Sequence, residues 1–456
     1  MQTRTYIRAV PCYEPALMRS VARKIFSALT DLTDWLAQPD PARLVVVKPN
    51  WIQECHQVMR EVWEPVITHP ELVLAVVEYV ASMMKGGGTI CVCDAPQTYA
   101  NFESILGRGG FRQRLEQLRG RFPKVAVEVL DLRRERWIVK DDVIVARIPN
   151  EPDPRGYVRV DLGRYSMLYG HRGEGRYYGA DYDSAEVNSH HRGDKHEYLL
   201  AGTPLQCDLF INMPKLKTHK KTGLTCALKN LVGINGDKNW LPHFTQGTPA
   251  EGGDEFSEAT LRSRVEANLK RLGQRLALRI PGVGPALYRY GRRLAMPVFG
   301  NSHLSIRSGD WHGNDTCWRM TMDLNRALFY AASDGTIMSA MHPRRYIVIV
   351  DGVIGGEGNG PLCPDPVASG VIIVGQDPAA VDAVAARLMG FDIGNLPMVK
   401  EAFSAHALPI TRLSLESVKV LDERIGAEEA LLEIRPAVTN GFRPHFGWPK
   451  LNPLRC

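Results

Sequence analysis

Three short apolar runs alternate with two helical stretches between residues 43 and 130, and this order constrains the fold more than anything else in the chain. Residues 43–48 (RLVVVK) are β-branched and apolar without alternation, the pattern of a strand buried on both faces. From 70 to 85, Leu72, Val76, Val77, Val80 and Met84 recur at helical spacing. Pro70 suits a first helical position, and Gly86-Gly87-Gly88 ends the run. Residues 89–93 then read as a second strand, 102–118 as a helix and 125–130 as a third strand. Such an order predicts an α/β fold: a mostly parallel sheet with right-handed crossovers and helices on both faces.

Further along, 208–213, 346–350 and 371–374 read as strands, and 317–332 and 378–389 as helices. Asp377 is a good N-cap for the last of these, with Pro378 at the first position. Between 140 and 197 the pattern breaks into Gly-, Tyr-, Arg- and His-rich sequence, which predicts long ordered loops with a hairpin. At 456 residues the chain exceeds what one core usually supports, so inserted segments are expected. The expected organisation is a first α/β half (1–140), a loop-rich insertion (141–207) and a second half carrying the site (208–250 and 301–395). A basic helical insertion (251–300) and a C-terminal segment (396–456) complete it.

Composition removes several function classes. No run of 18 apolar residues predicts a membrane-spanning helix, and residues 1–14 lack the apolar core of a signal peptide, so a cytoplasmic protein is expected. The nine cysteines are scattered with no CxxC pair, which predicts small buried residues in a reducing compartment and no iron–sulfur motif. The net charge of +6 belongs to one segment: 260–293 holds nine basic residues against Glu266 alone. Leu261, Val265, Leu269, Leu272, Leu276 and Ile280 form an apolar stripe there, fitting either peripheral contact with an anionic membrane surface or ordinary packing under a basic face. Without a recognition motif or interleaved aromatics, nucleic acid is not an expected partner.

Ligands of open parallel sheets sit outside the carboxyl ends of the strands. Four expected strand ends carry charge beside turn formers: Lys48-Pro49-Asn50, Asp94-Ala95-Pro96, the run from Lys215 to Lys221, and Asp351-Gly352. The third is densest, with Lys215, Lys217, Lys220, Lys221 and His219 inside seven residues, a trap for phosphate or carboxylate oxygens. A helix starting near Thr222 would point its positive end the same way. On this reading Lys48, Lys215, Lys217 and Lys229 hold an anionic small molecule, while Asn50, Asn230 and Asn239 orient it. His219, Asp237, Asp351 and His312 are candidate acid–base groups, and Asp94 and Asp351 are candidate ligands for magnesium shared with phosphate oxygens. The glycine run at 355–360, with Gly358 and Asn359, is a candidate phosphate loop or a plain turn; it matches neither a P-loop nor a dinucleotide fingerprint. His190, His191 and His196 lie near Asp181, Asp183, Asp194 and Glu197, as a hydrogen-bonded lid or a metal cluster would.

The runs VVVKPNW, THPELV, CDAP, DLFINMPKLKTHKKTGLTCALKNLVGINGDKNWLPH, WHGNDT, VDGVIGGEGNGP and QDPAAVDAVAARLMGFD resemble the family called domain of unknown function 362, over roughly residues 44–392. Many members join this core to a ferredoxin-like domain, whose clustered cysteines this chain lacks. The long form with GDKNWLPH resembles members found among bacterial surface polysaccharide genes, which implies work near activated sugars or polyprenyl phosphates. Three function classes are thereby open: an enzyme on an anionic substrate, a redox or metalloprotein, and a membrane-surface scaffold.

Overall fold

The structure, a computed structural model, describes residues 4–140, 143–181, 183–260 and 306–455, together with 265–269, 272–273 and 290. Eleven strands make the main sheet. They are β1 (Thr5–Ala9), β2 (Leu44–Pro49), β3 (Gly88–Asp94), β4 (Val125–Asp131), β5 (Leu209–Met213), β6 (Lys215–His219), β7 (Gly223–Thr225), β8 (Arg345–Asn359), β9 (Cys363–Gly375), β10 (Lys419–Asp422) and β11 (Ala427–Ala430). The spatial order is β11-β10-β1-β9-β8-β5-β2-β3-β4, with β6 running on from β5 along β8 and β7 folded back on β6. Strands β4, β3, β2, β5 and β8 are parallel; β9 turns antiparallel to β8, and β1 antiparallel to β9. The expected α/β architecture is therefore the observed one.

Consecutive residues of the central strands feed two different cores, which is why these strands are apolar without alternation. Val45, Val47, Ile90, Val92 and Ile211 pack under α1 (Pro15–Ser27), α2 (Pro70–Met83) and α3 (Phe111–Arg121). Val46, Cys91, Phe210, Val348 and Val350 face the other way, toward α4 (Cys317–Tyr330) and α5 (Pro378–Leu388). Asp377 caps α5 as expected, its side chain accepting from Ala380 N at 2.9 Å. Among the described residues no helix is long and apolar enough to cross a membrane.

Several local expectations are corrected. No helix begins at Thr222: the lysine run is strand β6, Gly223 (φ 76°) turns the chain into β7, and helix starts only with the α-helical turn Ala227–Asn230, which runs on into a 3-10 turn at Leu231–Ile234. Period-two alternation in Lys215-Leu216-Lys217-Thr218-His219 carries the physical reason, because Leu216 enters the core while 215, 217 and 219 face the other way. The glycines at 355–360 are not a free loop, since β8 runs through Asn359 and pairs with β9. A side chain at Gly355 would lie 2.8 Å from the Phe442 ring, so close packing requires glycine there. The expected helix 102–118 is two, Phe102–Gly107 and α3, broken at Gly109 and Gly110, both at positive φ. Inside 141–207 the chain makes strands beyond the expected hairpin: Tyr157–Asp161, His191–Arg192 and Lys195–Ala201 form a small sheet. The basic segment 260–293 lies largely outside the described residues; of its apolar stripe, Val265, Leu269 and Leu272 are described, and they are exposed.

Candidate functional site

From β2 the chain leaves through β3 and β4 toward one edge of the sheet, then returns to build β5 and β8 on the opposite side of β2. The carboxyl ends of β2 and β5 thus flank a topological switch point, where a crevice for ligands arises in such sheets. The polar groups at that point form one buried network. Lys48 is in register with Asn212 of β5. Its ammonium donates to Asp94 at the end of β3 (2.7 Å) and to Asn230 Oδ1 (3.3 Å). Asn50 Nδ2 also donates to Asn230 Oδ1 (2.9 Å), and Asn230 Nδ2 donates to Asn212 Oδ1 (2.7 Å). Trp51 N takes the second Asp94 oxygen at 2.7 Å. A Cβ on Gly233 would stand 1.9 Å from Asp94 Oδ1, so only glycine lets the 231–234 turn cover this pair.

Lys215, Lys217 and His219 extend from the switch point along one face of β6, each with a different electrostatic partner. Lys215 is sealed from solvent, donating to Asp351 Oδ2 (2.9 Å) and Tyr13 OH (3.0 Å). Tyr13 OH donates to Asp351 Oδ1 (2.6 Å), His69 N donates to Asp351 Oδ2 (2.8 Å), and the Tyr13 and His69 rings stack at 3.6 Å. This group clamps the N-terminal segment onto the sheet, and its charges are already neutralised. Lys217, equally buried, donates among the described residues only to the Val66 carbonyl. Lys229 retains 8% exposure and makes no hydrogen bond or ion pair among the described residues. Lys238 donates to the Val232 carbonyl at 3.1 Å.

The result is a buried region of excess positive charge. Burial, reinforced by Lys215 and Lys229, holds the Lys217 amine well below the usual lysine range. Burial pulls Lys238 down to about 7, with Lys48, Lys229 and Arg133 adding to it against Asp94. His219 is pushed well below the usual histidine value, by burial first and then by Lys229, Lys221, Lys220 and Lys217. Its Nδ1 accepts from Lys221 N (3.1 Å), so the neutral ring carries its proton on Nε2.

Burial also lowers His243 and His191 to about 3 and His69 to about 4. An unfolded histidine takes up a proton near 6.5, so these rings favour the fold fully above about 6.5 and lose that contribution as pH falls toward 4. Asp382, raised by burial to about 7, works with the opposite sign, its contribution fading as pH rises through 7. The histidines are therefore best followed singly. Imidazole NMR resonances of His69, His191 and His243 are expected to stay fixed between pH 7.5 and 5.5, and a midpoint near 6.5 for any of them would show an open, hydrated site.

The remaining candidates are placed elsewhere or in other roles. Asp237 caps the turn Lys238–Trp240 through Asn239 N (3.0 Å) and pairs with Arg134 at 3.2 Å; burial raises its carboxyl. Asn239 is buried beside Lys238 in sequence, and its Oδ1 has no hydrogen-bond partner among the described residues. His312 donates from Nδ1 to the Gly447 carbonyl (3.2 Å) and sits edge-on to Trp311 and Trp448, engaged with the C-terminal segment. Gly358 and Asn359 lie at the tip of the β8–β9 hairpin, where a Cβ on Gly358 would meet the Arg443 guanidinium at 2.9 Å. His190 stacks on Trp240 at 3.5 Å and pairs with Glu197 at 2.8 Å, as the hydrogen-bonded reading of that loop expects.

The donor set does not fit the magnesium ion expected at Asp94 and Asp351. Each carboxylate is occupied by a lysine and a backbone N–H, and the described residues contain no group of three His, Cys, Asp or Glu side chains suited to a metal.

Sequence reasoning missed Tyr13, His69, Asn212 and Lys238. Lys238 stands inside the GDKNW run already singled out, and Asn212 interrupts an otherwise apolar strand, so both carry a signal. Tyr13 has none: its hydrogen-bond partners are more than 200 residues away.

These features define an α/β protein with a lysine-rich network at the switch point of its sheet. The profile of the family described as Domain of unknown function (DUF362) matches residues 45–147 and 171–387, most of the chain. The chain belongs to that family. A comparison with curated proteins finds no match.

Proposed function

We propose that this protein is an enzyme that binds a phosphorylated or carboxylated small molecule at the switch point between β2 and β5. The supporting observation is the pairing of charges there: among the described residues, Lys217, Lys229 and Lys238 are buried without a carboxylate of their own, whereas Lys48 and Lys215 have theirs. Uncompensated buried ammonium groups are costly, and an anionic ligand is what relieves that cost. Lys217, Lys229 and Lys238 hold the anion, and the Lys48–Asp94–Asn230 network fixes the walls around it. His219, neutral with its proton on Nε2, donates a hydrogen bond to charge developing on a substrate oxygen. Group transfer or rearrangement of an activated sugar or lipid phosphate, at the cytoplasmic face of the membrane, is the reaction class that the resemblance to long-form members supports.

Native mass spectrometry of protein purified from a bacterial host, with metal analysis, tests this reading. A phosphorylated or carboxylated molecule retained by the wild type and lost from Lys229→Met is the expected result. Stoichiometric iron, nickel or zinc would replace the reading with a redox one. Protein free of any ligand, with unchanged function of Lys229→Met in cells, would favour a scaffold.

A further inference from the structure

The buried charge balance narrows which anion fits. Around the switch point four ammonium groups, Lys48, Lys217, Lys229 and Lys238, meet the single carboxylate of Asp94, which Lys48 holds at 2.7 Å. The other three share two backbone carbonyls, Val66 O for Lys217 and Val232 O for Lys238. An ammonium carries three donors, so most of theirs are unused by the described residues.

The neighbouring charges do not make up the deficit. Lys217 faces Lys215, Lys229 and Asp94; Lys215 is spoken for by Asp351, and Asp94 by Lys48. Lys238 faces Asp94, Lys48, Lys229 and Arg133, the last held by Asp131. Lys229 faces Cys317 and Lys221; Lys221 is paired with Asp310, and burial holds the Cys317 thiol above its usual value and therefore uncharged. The rings of His219 and His243, also within the field of Lys229, are neutral. A monoanion such as a carboxylate neutralises one of the three ammonium groups and leaves two. A phosphoryl group offers two charges and three acceptor oxygens, enough to meet all three lysines.

We propose that the ligand group seated at Lys217, Lys229 and Lys238 is a phosphoryl dianion. The inference rests on the anion-site reading above and adds the ligand's charge. No bond to the ligand is made or broken.

Titration calorimetry on the full-length protein at pH 8 tests it with sulfate, inorganic phosphate and acetate. At that pH sulfate and phosphate are dianions and acetate is a monoanion. The expected result is that the dianions bind at least about tenfold tighter than acetate. In Lys217→Met dianion affinity should fall about tenfold. Acetate as tight as sulfate would overturn the inference and leave the anion site standing. Failure of all three anions to bind would overturn the anion site itself. Glycerol phosphate in solution and phosphatidic acid vesicles, titrated in parallel, distinguish a soluble ester from a lipid headgroup, and tight binding of either supports the dianion.

Discussion

Lys215→Ala is expected to remove about 3–5 kcal/mol of folding stability, because it strips the counter-charge from a carboxylate that water cannot reach. Lys215 and Asp351 are both fully buried, 2.9 Å apart. With the ammonium gone, Asp351 keeps Tyr13 OH and the His69 and Val353 N–H groups but no cation. It must then either sit as a buried charge or take a proton. The loss should propagate, since Tyr13 OH accepts from both Lys215 and Ile354 N and so anchors the segment before α1. Urea unfolding followed by circular dichroism measures this as a lower midpoint with little change in slope. The double variant Lys215→Met with Asp351→Leu should regain part of the loss, because buried pairs replaced as a unit cost far less than pairs cut in half. A single Lys215→Ala as stable as the wild type would mean that Asp351 is already hydrated.

Lys217→Met should do the reverse. This side chain is as buried as Lys215 and lies on the same strand face two residues on, yet among the described residues its only acceptor is the Val66 carbonyl. Methionine has nearly the same length and is apolar and flexible, so it fills the space without a desolvated amine. The ligand-free protein is expected to gain about 1–3 kcal/mol, seen as a higher urea midpoint, while dianion binding weakens. Core substitutions usually destabilise, so the sign itself is diagnostic. A functional residue that costs stability when its ligand is absent gives this pairing of gain and loss. A destabilised Lys217→Met would instead make the lysine a structural pin like Lys215, and the anion site would lose one of its three cations.

Much of this architecture is legible in the sequence. Short β-branched runs at 43–48, 89–93 and 125–130, separated by a helical repeat, determine a parallel sheet covered on both faces, because only strands buried twice are apolar without alternation. The charge at the strand ends gathers at one edge of that sheet, since strand order places carboxyl ends together whatever the details. Lys48, Asp94 and Asn230 of that reading lie together there, joined by hydrogen bonds.

Local sequence did not separate Lys215 from Lys217. Both are lysines on one face of β6, and each is flanked by apolar or polar neighbours of the same kind. What divides them is which carboxylate the fold brings near. Asp351 reaches Lys215 because β6 pairs in parallel with β8, in register at 215 and 351. Lys217 falls opposite Gly356, which has no side chain to offer. Likewise, the glycine run 355–360 looks like a loop until Phe442 is packed against Gly355 and Lys217 against Gly356, contacts made 87 and 139 residues away in sequence. The sequence alone thus determined the class of fold and the edge of the sheet where polar groups collect, since hydrophobic period and strand ends are local properties of the chain. Only the tertiary structure decided which buried lysines are neutralised by a carboxylate and which are not, because charge compensation is settled by long-range pairing that no local pattern encodes.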